Sequence, residues 1–150
     1  MMIQAAAGFM SAAAFACLYR VPRHQIIRCG LVGGLGWLVL LLTGDYLGEI
    51  GAMFLASAVV AVCSEILARR VRQPVIVFLV PGVIPLVPGG RAYLTMLSFL
   101  RNDYVKGLEL LVSTIFLAGA VAAGIILVSS IFRAISRTKH RKEAVVWRMR

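Results

Sequence analysis

The segment Val80-Pro81-Gly82-Val83-Ile84-Pro85-Leu86-Val87-Pro88-Gly89-Gly90 lies inside an apolar run that begins at Val75, where a membrane helix would otherwise be expected. Each of its three prolines removes a backbone donor and crowds the preceding turn, so a continuous helix is not expected to survive there. The glycines admit backbone angles that other residues avoid. In hydrocarbon, unpaired amides and carbonyls are tolerated only where they are buried in protein or line a wet cavity. Two readings follow. The span is broken so that half-helix ends and unwound backbone build a substrate site, as in many transporters, or it is a kinked helix with a purely structural role.

The remaining sequence sets the class. Of 150 residues, 61% are apolar, against about 45–50% in a soluble domain, and the mean hydropathy is +0.91. Long apolar stretches separated by short charged ones predict an all-α polytopic membrane protein with about five transmembrane helices. They leave no room for a soluble catalytic domain. The predicted spans are 2–19, 26–43, 47–68, 75–100 (the broken one) and 108–132, within a membrane domain 1–132. A basic tail, 133–150, follows.

The net charge of +10 is distributed in short clusters between apolar runs, and seven of the sixteen Lys and Arg lie from Arg133 onward. That is the pattern of cytoplasmic loops and argues for membrane lipids, rather than nucleic acid, as the partner of the basic segments. Arg20, Arg23 and Arg28 mark one cytoplasmic loop and Arg69, Arg70 and Arg72 another, whereas the loop at 44–48 has neither Lys nor Arg. Five crossings, with the amino terminus outside and the tail cytoplasmic, satisfy this distribution best. Arg91, Arg101 and Lys106 are the exception, because they then fall outside. Whether the Pro/Gly segment is a crossing half-helix pair or a re-entrant loop stays open.

The first span has no basic residue before its apolar core and does not open like a signal peptide. It is rich in Ala, Gly and Ser, which let helices approach closely in lipid. In the second, Gly30 and Gly34 form a Gly-x-x-x-Gly pair on one face, suited to packing within the chain or to dimerisation. Cys17, Cys29 and Cys63 are odd in number and widely spaced, and read as small packing residues. His24 and His140 do not stand in zinc-type spacing to them. No metal or cofactor is implied.

Two stretches carry candidate chemistry. Glu65 stands one turn before Arg69, as an i,i+4 ion pair at the interface or as a candidate coupling carboxylate facing a cavity. After Pro88, the amides opening a second half-helix carry partial positive charge. With Arg91, Tyr93 and Thr95 they form a candidate cradle for a carboxylate. The competing reading anchors Arg91 and Tyr93 at the membrane interface.

The run from Pro81 to Gly89, followed by Tyr93, resembles the signature of the threonine/serine exporter family. It looks most like the small split-subunit form, which includes a subunit of a bacterial succinate exporter. The Arg69-Arg70-Val71-Arg72-Gln73-Pro74 entry and the Gly-rich second span fit that pattern, and the resemblance covers about 14–132. It implies export of a small carboxylate (threonine, serine or a dicarboxylate such as succinate) across the bacterial inner membrane. It also implies a separately encoded larger subunit of the same family, or self-association. Pro81, Gly82, Pro85, Pro88, Gly89 and Tyr93 match motif positions; Gly90, Arg91 and Thr95 join them in the candidate substrate path.

Two further readings compete with export. A scaffold subunit would stabilise a partner that carries the whole path. A lipid-acting membrane enzyme would need a clustered nucleophile and base, for which Ser64 beside Glu65 is the nearest pair, without a histidine. The expectation is that the chain is not an enzyme.

Overall fold

Helix α1, Met2–Leu18, is followed by α2, Arg23–Val71; α3, Ile76–Val83; a single 3₁₀ turn, Ile84–Leu86; α4, Gly89–Leu100; and α5, Tyr104–Arg148. The computed structural model describes residues 2–148, with side chains over 3–135. Among the described residues there is no strand, as the apolar runs and small-residue helix faces predict.

The loop expected at 44–48 is absent. Helical backbone runs to Gly48 and resumes at once, with only Gly48 non-helical at φ 68° and ψ 170°. That region is essentially closed to residues with a Cβ, so one glycine reverses the chain. The two arms of α2, 23–47 and 49–71, lie side by side: a Cβ at Gly36, twelve residues before the turn, would collide with Val60, twelve after it. At 1.5 Å per residue the arms are about 37 and 34 Å long, each sufficient for a hydrocarbon core of about 30 Å. The predicted second and third spans are therefore an antiparallel hairpin, the latter starting at residue 49 rather than 47.

The break between α3 and α4 is narrower than the three prolines suggest. Pro81 and Gly82 sit inside α3, Pro85 in the 3₁₀ turn, and only Val87 (φ −65°, ψ 128°) and Pro88 (φ −75°, ψ 51°) leave the helical region. Val87 is extended because the ring of Pro88 disfavours helical backbone in the residue before it. Pro81 is tolerated because it orphans one carbonyl, that of Val77 four residues earlier. The buried Cys29 thiol donates to that oxygen at 3.4 Å. Together the α3 and α4 segments have the length and apolarity of one span, bent by 48° at the break.

Helix α5 begins at Tyr104, four residues before the apolar run, because Asp103 caps it: its Oδ1 accepts the Lys106 amide at 3.3 Å. It crosses the second arm of α2 at Gly124, where a Cβ would lie 2.7 Å from the Phe54 carbonyl oxygen. Helical backbone continues through the basic tail to Arg148, whose side chains beyond 135 lie outside the described residues. α2 and α5 are long and apolar enough to cross a membrane, and α1 is a shorter apolar helix.

α1, α2 and α4 close alike, each followed by a left-handed residue (Arg20, Arg72, Asn102). The next amide bonds back five residues: Val21 to Ala16, Gln73 to Ala68, Asp103 to Ser98. This capping satisfies carbonyls that would otherwise be orphaned at the helix ends and keeps the connections short.

Candidate functional site

The Pro/Gly segment is seated in the α2 hairpin by the close approach of Gly82 and by ordinary contacts of Pro85 and Leu86. A Cβ on Gly82 would stand 2.8 Å from Val32 Cγ1 and 3.1 Å from Val60 Cγ1, one residue from each arm. A Cβ on Gly33 would lie 3.5 Å from Pro85 Cγ, and one on Gly36 3.5 Å from Leu86 Cδ1. Leu86 is fully buried in a core with Val32, Val60 and Leu117. The glycines of this arm admit α1 and the other arm closely, Gly33 against Ala12 and Gly36 against Val60, while Pro85 and Leu86 rest on it at ordinary contact distance.

Gly30 and Gly34 face elsewhere. Cβ atoms there would lie 2.7 Å from the Phe9 ring and 3.3 Å from Phe9 Cβ, so the pair packs on α1 within the chain.

A cavity of about 250 Å³ opens beside the 3₁₀ turn, lined by Gln4, Ala7, Gly8 and Ser11 of α1, by Trp37 and by Pro85. The α1 residues, at i, i+3, i+4 and i+7, form one helix face. Gln4 and Ser11 are the amide and hydroxyl of an otherwise apolar helix, and both point to this cavity wall. Polar side chains inside spans usually face a wet cavity or the bundle interior. The indole N–H of Trp37 is buried with no hydrogen-bond partner among the described residues, a group that normally finds one when buried. Sequence reasoning missed Gln4, Ser11 and Trp37; the seven-residue spacing of Gln4 and Ser11 was the available signal.

The carboxylate cradle does not assemble around one point. Arg91 donates from Nη2 to Glu49 Oε2 and from Nη1 to Ser113 Oγ. It thereby ties the start of α4 to the turn of α2 and to α5, and Glu49 neutralises it. The Thr95 hydroxyl donates to the Arg91 carbonyl at 2.8 Å. Tyr93 lies on another face of α4 and is 67% exposed. Gly89 and Gly90 border open space.

Of the two readings of Glu65, the ion pair is formed: Arg69 Nη2 lies 3.4 Å from Oε2 of the buried carboxylate. Arg69 also donates to the Phe132 carbonyl at 3.3 Å and lies over the Phe132 ring, fastening α5 to the end of α2. Ser64 is fully buried and its hydroxyl has no partner among the described residues, so no base activates it there. Among the described residues no group of His, Cys, Asp or Glu has the arrangement of a metal site.

Comparison with known proteins connects this architecture to transport. The family model described as Threonine/Serine exporter, ThrE, matches residues 4–131. A protein of Corynebacterium glutamicum described as a threonine/serine exporter is 30% identical over 131 residues. The match takes in 87% of this chain but 27% of that protein, so the chain spans about a quarter of its relative's length. No solved structure matches.

Proposed function

The chain belongs to the threonine/serine exporter family, and we propose that it supplies one membrane part of an exporter for small hydroxylated amino acids. The observation that carries this reading is the cavity at Pro85, where the 3₁₀ turn of the broken span meets the face of α1 that bears Gln4 and Ser11. A span broken against a cavity that carries an amide and a hydroxyl on an otherwise apolar wall is the kind of arrangement from which transporters build substrate sites. Gln4 and Ser11 can exchange hydrogen bonds with a substrate hydroxyl, and Trp37 completes the same wall.

Threonine or serine fits this wall better than a dicarboxylate such as succinate. Among the described residues none that lines the cavity is charged, and Arg91 is held by Glu49. In this reading Arg91 and Glu49 form a tie that closes one end of the path, and Pro81, Gly82 and Pro88 set the shape of the break. The function is transport, not catalysis.

The relative's extra length supports a larger chain of the same family as the partner that completes the path. Five crossings of a bacterial inner membrane, with the amino terminus outside and the basic tail cytoplasmic, remain the topology we propose, from the distribution of Lys and Arg.

The test is efflux from cells lacking this chain, loaded with threonine, serine or succinate, with the chain and its larger partner expressed singly and together. Threonine or serine efflux that requires both chains supports the proposal. Efflux by the partner alone at the full rate would leave this chain a scaffold.

A further inference from the structure

The end of the α2 hairpin opposite Gly48 has a second cavity that the transport path does not use. It measures about 390 Å³ and runs between the two arms, with Arg28 and Arg70 at its mouth and Leu31, Leu35, Leu67 and Val71 along its walls. Leu31 is 53% and Leu35 45% exposed on the outward face, so the groove is open along its side.

The two arginines stand twenty and twenty-two residues from the turn, about 30 Å along each arm. That is the thickness of the hydrocarbon core, so they lie at the level of lipid phosphates when the turn lies at the opposite surface. Arg28 donates to Gln25 Oε1 at 2.8 Å, a neutral partner. The described ion pairs join Arg69 to Glu65 and Arg91 to Glu49, and neither Arg28 nor Arg70 meets a carboxylate among the described residues. Two like charges at one mouth repel in the empty groove, and a single anion between them relieves this.

We propose that this groove holds one anionic phospholipid of the bilayer, its phosphate between Arg28 and Arg70 and an acyl chain along Leu31, Leu35 and Leu67. The charge at the mouth selects an anion, and the apolar walls select one that carries hydrocarbon. Basic pockets between spans are recognised by anionic headgroups in this manner. The site does not depend on which side of the membrane the arginines face.

The test uses the full chain purified in mild detergent, with thermal unfolding followed in added phosphatidylglycerol, cardiolipin or phosphatidylethanolamine, and native mass spectrometry to count retained lipids. The expected result is retention of one anionic lipid and an unfolding midpoint raised by the anionic lipids over phosphatidylethanolamine. Arg28→Gln with Arg70→Gln should weaken the anionic preference about thirtyfold, and the paired Lys substitutions should keep it. Arg72→Gln, which removes an exposed neighbour outside the groove, should also keep it. Leu31→Trp, which fills the groove with both arginines intact, should lose the lipid even if the arginine variant does not fold. Equal stabilisation by phosphatidylethanolamine, or equal loss with Arg72→Gln, would overturn the proposal. So would a matching shift from inorganic phosphate or succinate, which would make the groove a vestibule for soluble anions.

Discussion

Cys29 in α2 and Val77 in α3 are joined by a hydrogen bond from thiol to carbonyl, 3.4 Å long, that replaces the helical donor Pro81 lacks. The proline of the broken span is thus balanced by a cysteine on another helix, forty-eight residues from the carbonyl it serves.

This relationship has a double-mutant signature. Cys29→Ala should lower stability by about 1–3 kcal/mol, the cost of a buried unpaired carbonyl, and Cys29→Ser should retain most of it. In a Pro81→Ala background, where the helix supplies its own amide, Cys29→Ala should cost clearly less. Thermal unfolding of the four variants measures the coupling, and strict additivity would remove the thiol from this role.

Gly82 is wedged between Val32 and Val60. Gly82→Ala should destabilise by about 1–3 kcal/mol through overpacking, and Val32→Ala should recover part of that loss. Unfolding midpoints of the single and double variants decide it; an unchanged midpoint for Gly82→Ala would mean the hairpin is looser than described.

Arg91 and Glu49 are both partly exposed, so breaking their pair should shift stability by less than about 1 kcal/mol. Its effect should appear in transport. Glu49→Gln should impair efflux as much as Arg91→Gln, and exchanging the two charges should restore it. An Arg91 that binds substrate directly would behave otherwise: Glu49→Gln would spare efflux and the exchange would not rescue it.

Trp37 offers a different separation of stability from function. Its buried N–H lacks a partner among the described residues, and an unpaired buried donor carries a desolvation cost. Trp37→Phe should therefore leave the unfolding midpoint unchanged or slightly higher while lowering threonine efflux several-fold. A loss of both in parallel would mark Trp37 as packing alone.

What the sequence made legible was set by short-range physics. Apolar lengths and the proline spacing located the helices and a break between α3 and α4. They placed a second half-helix after Pro88, where α4 begins, but not the survival of helix across Pro81, because tolerance of that proline depends on a donor from another helix. Gly44 and Asp45 read as a turn, yet both are helical; the reversal at Gly48 needs an arrangement of arms that no local pattern encodes. Gly30 and Gly34 were recognised as a packing face, and Phe9 as its occupant was not. Arg91 looked available to a ligand, and its engagement by Glu49, forty-two residues distant, shows why a cation and nearby amides do not by themselves make a site. Gln4 and Ser11 became meaningful only once α1 was placed against Pro85.

The central claim is that substrate passes the cavity at Pro85. The most direct measurement is the rate at which a small thiol reagent labels Ser11→Cys, in membranes containing the chain and its partner. The background is otherwise cysteine-free, with Cys29→Ser preserving the donor to Val77. Threonine and serine should slow labelling several-fold at concentrations that support transport, and leucine should not. A labelling rate unaffected by either hydroxylated amino acid, in membranes that still export threonine, would contradict the account.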